Sequence, residues 1–161
     1  MSLIAFATTL QNTALGQILR QASPATVLVI QIGHVLGLIL LLTSLLLVNL
    51  RLLGWGLRSQ PLADIVGATR WALRTGLLLT IASGSALYLS APVSYITNVA
   101  FVPKMVLLLS ALVLQATLFR HVTGARDGAP ELSPLLARST AVLSLTLWFG
   151  VGLAGRAIGF V

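Results

Sequence analysis

Four long apolar stretches constrain this chain more than any other feature of its sequence. They cover residues 25–50, 75–91, 105–119 and 141–161, and a helix needs about 20 mostly apolar residues to cross a bilayer. The chain is 57% hydrophobic and 8% charged, with a mean hydropathy of +1.00, which is outside the range of soluble globular domains. The sequence therefore predicts an all-α integral membrane four-helix bundle with no soluble domain.

A proline precedes each apolar stretch and marks where each spanning helix begins. At the first helical position, the missing N–H of proline removes no hydrogen bond. The prolines are Pro24, Pro61, Pro103 and Pro134, and Ser23 and Ser133 precede two of them as N-caps. We predict spanning helices over about 24–51, 61–91, 103–121 and 134–160, within a single domain of residues 23–161.

Residues 1–22 follow a different pattern from the spanning stretches. Apolar side chains recur at helical spacing while polar side chains fill the other side; the apolar set is Leu3, Phe6, Leu10, Ala14 and Ile18. This pattern is typical of an amphipathic interfacial helix that lies on the outer membrane surface. The alternative is a helix that packs against a partner protein.

The net charge of +7 and the isoelectric point near 11.7 come from scattered basic residues at the ends of the apolar stretches. Nucleic-acid binding needs clustered basic residues on a soluble face, so we expect no nucleic-acid partner. The positive-inside rule assigns the first and third loops to the cytoplasm and both termini to the outer side. The residues that set this orientation are Arg51, Arg58, Arg70 and Arg74 at the first loop, and Arg120, Arg126 and Arg138 at the third.

One ionisable residue, His34, interrupts the first apolar stretch. Such a side chain at membrane depth is expensive, so its presence predicts a function and a partner. At a rise of about 1.5 Å per residue, His34 lies roughly 15 Å along the first helix, and Arg156 lies at a similar depth near the end of the fourth. Lys104, at the outward start of the third helix, can reach towards both, and Gln31 lies one turn before His34. We predict an outer-leaflet site of His34, Lys104, Arg156 and Gln31.

The predicted site contains cations but no acidic residue, so something else must satisfy it. Two interpretations stay open. In the first, His34 stays neutral and hydrogen-bonds a neighbouring helix, while Lys104 and Arg156 reach lipid phosphate. In the second, the site holds a ligand. The three acidic residues of the chain all fall on the inner side: Asp64, Asp127 and Glu131.

Glycines surround the predicted site and show where helices can approach closely. Gly33 and Gly37 bracket His34, and four glycines lie around Arg156 on the last helix: Gly150, Gly152, Gly155 and Gly159. This pattern predicts close helix packing, or space for a flat ligand. Ser83, Gly84 and Ser85 form a similar thin point on the second helix at about the same depth.

Haem b is the ligand that best fits a histidine beside arginine and lysine. A neutral imidazole can ligate the iron, here through His34, while cations such as Lys104 and Arg156 hold the propionates. The other histidine, His121, falls near the inner end of the third helix, roughly 25 Å away by helix rise. A haem here is therefore either five-coordinate or shared by His34 from two protomers at a symmetry axis.

The remaining polar residues form no enzyme constellation. There is no nucleophile with a base, no carboxylate pair and no phosphate loop, so the sequence argues against an enzyme. With no cysteine in the chain, disulfides and thiolate metal sites are excluded. Asn49 and Gln115 are isolated polar residues in spanning helices, and we expect them to hydrogen-bond across the bundle.

Four short motifs carry a resemblance that covers nearly the whole chain. They are His-Val-Leu-Gly at 34–37, Asn-Leu-Arg-Leu-Leu-Gly at 49–54, Phe-Val-Pro-Lys at 101–104 and Ala-Gly-Arg at 154–156. Together they resemble an uncharacterised bacterial inner-membrane family, a domain of unknown function. The resemblance implies a four-helix fold in the bacterial inner membrane and a shared pattern of His34, Lys104 and Arg156. In that membrane, the orientation from the positive-inside rule places both termini in the periplasm.

The His-x-x-Gly helix is more distantly similar to helices of cytochrome b561 and copper-resistance membrane proteins, although this chain lacks their full histidine set. Two functions follow as hypotheses. The first is a small membrane protein that binds haem b for electron transfer or redox sensing. The second is a non-catalytic membrane subunit or scaffold that binds lipid or a larger membrane complex. Homo-oligomerisation is expected for either, and an anion transporter is disfavoured because no discontinuous helix or intramembrane acid marks a pathway.

Overall fold

The computed structural model describes residues 2–126 and 133–161, with the side chains of residues 2–118 and 133–161. All regular secondary structure in these residues is helical, which confirms the predicted all-α fold. Four helices, α3, α4, α6 and α7, are long and apolar enough to cross a membrane. The helices are α1 (Leu3–Gln11), α2 (Ala14–Arg20), α3 (Pro24–Leu53), α4 (Leu62–Ser90), α5 (Pro92–Thr97), α6 (Phe101–Arg126) and α7 (Pro134–Ala157).

The capping residues explain where the spanning helices begin and end. Ser23 accepts a hydrogen bond from the Thr26 N–H at the start of α3, and Ser133 does the same for Leu136 at the start of α7. Gly54 ends α3 in the left-handed conformation, with φ of 74°. The third spanning helix differs from its predicted bounds, because α6 begins two residues before Pro103 and continues to Arg126.

The bundle has two ends that differ in what lies there. At one end α3 and α6 begin and α4 and α7 finish, next to α1, α2, α5 and residues 158–161; we call it the terminal end. The other end, which carries residues 54–61 between α3 and α4, is the loop end. Helix α3 packs along α4 and also contacts α7, and α7 packs along α6, whereas α4 and α6 touch only slightly. One side of the bundle is therefore loosely closed.

Helices α3 and α4 cross in close backbone contact at Gly37 and Gly76. A Cβ on Gly76 would lie 2.6 Å from the Leu41 nitrogen and 2.8 Å from the Gly37 oxygen. A Cβ on Gly37 would lie 2.7 Å from Thr80 Oγ1. The glycine pair of α3 therefore packs against α4, as small residues do in membrane helices, and not against α7.

The hydrophobic core fills only the loop-end half of the bundle. Among the described residues, no apolar side chain is buried on α3 before Leu41, on α6 before Ala111 or on α7 beyond Val151. Two adjoining clusters make up the core: Leu41, Leu45, Leu73, Ala111 and Trp148, and then Val48, Leu52, Leu53, Ile65, Val66, Leu118 and Ala141. The terminal half is held together by other contacts.

The N-terminal segment forms two helices rather than one. Asn12 ends α1, and Thr13 begins α2 by accepting a hydrogen bond from the Gly16 N–H. Helix α1 packs on α5 with Ala7 fully buried, and α2 packs on α4. The segment thus contacts its own bundle, while Leu3 and Ile18 stay 69% and 67% exposed. Whether this exposed apolar side meets lipid or another protein stays a prediction.

Aromatic and polar contacts join the helices at the terminal end. Tyr88 of α4 stacks on Phe101 of α6 with ring centroids 5.5 Å apart, and Tyr95 of α5 packs against both rings. Burial raises the pKa of the Tyr95 phenol above its usual 10. Asn98 donates hydrogen bonds to the carbonyls of Ile158 and Val161. These contacts link α4, α5, α6 and the residues after α7 without a large hydrophobic core.

Candidate functional site

Each of the four spanning helices has one row of residues that faces the interior of the bundle, which we call its interior stripe. The interior stripes are mainly apolar in the loop-end half and end in polar residues or glycine at the terminal end. Side chains three and four positions apart share a helix face, so the buried residues of each helix can be followed towards that end. The stripe of α3 leads from Leu41 through Gly37 to His34, and that of α6 leads from Ala111 to Lys104. The stripe of α4 ends in Ser83 and that of α7 in Gly155. We call these four residues the terminal site.

His34 is held by a hydrogen bond to the neighbouring helix. Its Nδ1 lies 2.9 Å from Ser83 Oγ. The single hydroxyl proton of Ser83 is donated to the Leu79 carbonyl, so Oγ accepts from His34 Nδ1–H. The proton is therefore assigned to Nδ1, which leaves the lone pair of Nε2 available as a ligand or base.

The imidazole of His34 lies directly on the backbone of α4. A Cβ on Gly84 would be 3.1 Å from His34 Cε1 and 3.6 Å from Nδ1. A side chain at this position would displace the ring. Ser83 and Gly84 therefore act as a pair, because one fixes the orientation of the ring and the other makes room for it.

Lys104 faces the same interior from α6. Its side chain runs along α7, where a Cβ on Gly155 would lie 3.5 Å from Cε and 3.7 Å from Nζ. Lys104 is half-buried, and its charge interacts electrostatically with His34. Asp64 lies in the first turn of α4 at the loop end, and Asp127 and Glu131 lie outside the described residues. In the described part of the chain, no carboxylate balances Lys104 at this depth.

Arg156 and Gln31 lie near the terminal site but point elsewhere. Arg156 follows Gly155, so its side chain leaves the helix about 100° away from the interior stripe. It is exposed and lies over the Phe160 ring, 4.4 Å from the centroid. Gln31 is exposed on α3, and no described hydrogen bond joins it to His34. The structure thus brings His34 and Lys104 together and leaves Arg156 and Gln31 at the rim of the same end.

The second histidine lies far from the terminal site. His121 follows Lys104 by 17 residues on α6, which separates their backbones by about 25 Å along the helix; its side chain is outside the described set. No three His, Asp or Glu side chains cluster among the described residues. A metal at the terminal site would therefore take one histidine from each chain.

Sequence reasoning placed His34 and Lys104 at one depth and offered a hydrogen bond from His34 to a neighbouring helix as one interpretation, but it did not identify Ser83 as the partner. The sequence did contain a sign of this contact, because Ser83, Gly84 and Ser85 are three small residues, two of them polar, in an otherwise apolar part of the helix. The α3 stripe points to the same contact, since His34 falls seven residues before the buried Leu41 on one helix face. Together these define a multi-pass helical membrane protein with a polar, cationic site at one end.

This chain belongs to DUF6644, a family of unknown function, whose pattern matches residues 7–161. The resemblance to an uncharacterised family is thereby confirmed. No curated protein and no solved structure matches the chain. The bacterial origin and the distant similarity to cytochrome b561 and copper-resistance proteins stay predictions.

Proposed function

We propose that this protein binds haem b at the terminal site, for electron transfer or redox sensing in a membrane. The observation that carries the proposal is the hydrogen bond between His34 Nδ1 and Ser83 Oγ. Histidines that ligate metals usually donate their other ring N–H to a neighbour, which fixes the tautomer and orients the ring. Such a bond leaves Nε2 free for iron. It is made inside a spanning helix, where an ionisable side chain is energetically costly and usually has a function.

The residues around His34 fit the chemical groups of haem b. His34 would hold the iron through Nε2, and bound haem would supply a one-electron iron couple. The Lys104 ammonium would bind a propionate, because it has no carboxylate partner at its depth among the described residues. Arg156, at the rim, would bind the second propionate. The slight contact between α4 and α6 would let a ligand enter between these two helices.

The iron would have either one protein ligand or two identical ones. His121 is too distant to be the second ligand, since it lies about 25 Å along α6 from Lys104. One chain would give a five-coordinate haem. A dimer with its axis at the terminal site would give two His34 ligands, and this second arrangement requires homo-oligomerisation.

An absorption spectrum tests the proposed function. The full chain, expressed with ample haem supply and purified in detergent, is expected to show a Soret band and a pyridine haemochrome of b type. The haem-to-protein ratio separates the two arrangements, with about one haem per chain for five-coordinate iron and about one per two chains for shared iron. A folded, monodisperse protein with no Soret band would overturn the proposal.

A second candidate function is a non-catalytic subunit that binds lipid or a larger membrane complex. It is favoured by a largely apolar groove of about 550 Å³ along α7 and by the exposed apolar side of α1 and α2. The groove is lined by Leu53, Trp55, Val142, Leu145, Thr146, Phe149, Gly150 and Leu153. Co-purifying lipid or partner protein in a colourless preparation, unchanged in the His34→Ala variant, would support this function over the first.

We further propose that the protein lies in a bacterial inner membrane with the terminal end in the periplasm. The arginine-rich loop end supports this orientation, because basic residues favour the cytoplasmic side. The chain has no cysteine, so single cysteines can report the side directly. In intact cells, Ser2→Cys is expected to react with a membrane-impermeant maleimide and Ser59→Cys is not. Labelling of Ser59→Cys alone would reverse the orientation.

A further inference from the structure

A second polar cluster lies inside the loop-end half of the bundle, within the apolar core. Asn49 of α3 and Ser144 of α7 are each only 1% exposed. Asn49 Nδ2 donates to the Leu45 carbonyl at 2.9 Å and to Ser144 Oγ at 3.1 Å. Both amide protons are thus used, and the expected hydrogen bond of Asn49 across the bundle is present.

Two polar atoms of this cluster have no partner, and they are of opposite type. Asn49 Oδ1, an acceptor, and Trp148 Nε1, a donor, are both buried without a hydrogen bond. The amide orientation of Asn49 is fixed, because exchanging its oxygen and nitrogen would set two acceptors, Oδ1 and the Leu45 carbonyl, against each other. Neither atom can turn to solvent, since Trp148 is 4% exposed.

Helix geometry directs the two unpartnered side chains towards each other. Side chains on a helix tilt towards its N-terminus, and α3 and α7 run in opposite directions. Asn49 therefore leans towards the level of Leu45, and Trp148 leans towards the level of Ser144, one turn earlier on α7. Asn49 already bonds both Leu45 and Ser144, so its Oδ1 and the indole N–H approach one region between α3 and α7.

Apolar layers isolate this region on both sides. Towards the terminal end lie Leu41, Leu73 and Ala111, and towards the loop end lie Leu52, Leu118 and Ala141. Gln115 falls on the α6 stripe between Ala111 and Leu118, so it lies at about the same level. The cluster is therefore separate from the terminal site, and bulk water cannot supply the missing hydrogen bond within a bilayer core.

We propose that one sealed water molecule sits between α3 and α7, accepting from Trp148 Nε1–H and donating to Asn49 Oδ1. Buried waters occupy sites of this kind, where two or more polar partners would otherwise stay unsatisfied. The water completes the hydrogen bonding of a polar contact that fixes the register of α3 against α7. A shift of either helix by one turn would place the polar atoms of Asn49 and Trp148 against leucine side chains, without hydrogen-bond partners.

The indole proton of Trp148 can report this water. The other tryptophans, Trp55 and Trp71, are 80% and 72% exposed, and the Trp55→Phe, Trp71→Phe double variant leaves Trp148 as the sole indole. In nanodiscs, with ¹⁵N-labelled tryptophan, its Nε1–H is expected to show a direct cross-peak to water while exchanging with D₂O over hours. Open solvent would instead exchange the proton within the dead time.

Two further variants assign the cross-peak. Ser144→Ala removes a hydroxyl whose exchangeable proton could relay magnetisation, so the water cross-peak must persist there. Asn49→Leu removes the acceptor, and the cross-peak is expected to vanish; Thr43→Val, on the exposed side of α3, is the control that keeps it. A slowly exchanging indole with no water cross-peak in the parent protein would overturn the proposal, as would rapid exchange or loss of the signal in Ser144→Ala.

Discussion

The His34→Ala variant is expected to lose the Soret band completely while its helical content and elution volume stay those of the wild type. His34 supplies the one imidazole of the terminal site among the described residues. The fold does not depend on the ring, because His34 is half-buried beyond the apolar core and its one side-chain partner is Ser83. Absorption spectra and circular dichroism of matched preparations measure both results.

Two variants separate ligation from general damage. His121→Ala removes the other histidine of the chain, about 25 Å along α6 from the site, and is expected to keep the full band. Ser83→Ala keeps the ligand but frees its ring, so haem affinity is expected to fall about 10-fold, within the range found for partners of metal ligands. Equal loss of haem in His34→Ala and His121→Ala, or a full band in His34→Ala, would contradict the assignment.

The fold could be predicted from the sequence because a bilayer leaves few choices. Apolar length sets the number of crossings, since every backbone polar group in lipid must be bonded within a helix. Ser23 with Pro24 and Ser133 with Pro134 then mark two helix starts through local chemistry that needs no tertiary context. The short helix α5 and the division between α1 and α2 have local signals too, Pro92 at the start of α5 and the Thr13 cap of α2, but caps of this kind are common in sequences and did not by themselves separate these helices.

The sequence predicts how deep the site residues lie along their helices, but not the direction in which their side chains point. Helix rise places His34, Lys104 and Arg156 at similar levels, but each residue also turns the helix by about 100°. Gly155 and Arg156 are therefore at one depth and face different surroundings, one against Lys104 and the other over Phe160. Direction follows from the interior stripe of each helix, which becomes clear only once the partner helices are known.

The two halves of the bundle differ in what their interiors contain. The loop-end half holds the apolar core, and the terminal half holds the polar ends of the same stripes. A polar residue placed beyond the core costs less packing than one placed within it. The close crossing of α3 and α4 lies between the halves, with Gly37 three residues from His34 and Gly76 seven residues from Ser83.

Replacing Gly76 with alanine is expected to destabilise the protein by about 1–3 kcal/mol, the usual effect of overpacking a close contact. The new Cβ would lie 2.6 Å from the Leu41 nitrogen and 2.8 Å from the Gly37 oxygen. These are backbone atoms in two regular helices, so neither can move aside alone, and α3 must shift away from α4. Unfolding in mixed micelles, followed by circular dichroism, measures the change.

Gly67 provides the matched control on the same helix. Nothing lies within 4 Å of the position its Cβ would take, and alanine has the higher helix propensity, so Gly67→Ala is expected to be neutral or to stabilise by up to about 1 kcal/mol. Separation of α3 from α4 would also lengthen the 2.9 Å contact between His34 and Ser83, so Gly76→Ala should weaken haem binding while Gly67→Ala should not. Equal stability of the two variants would mean that α3 and α4 do not cross at Gly37 and Gly76.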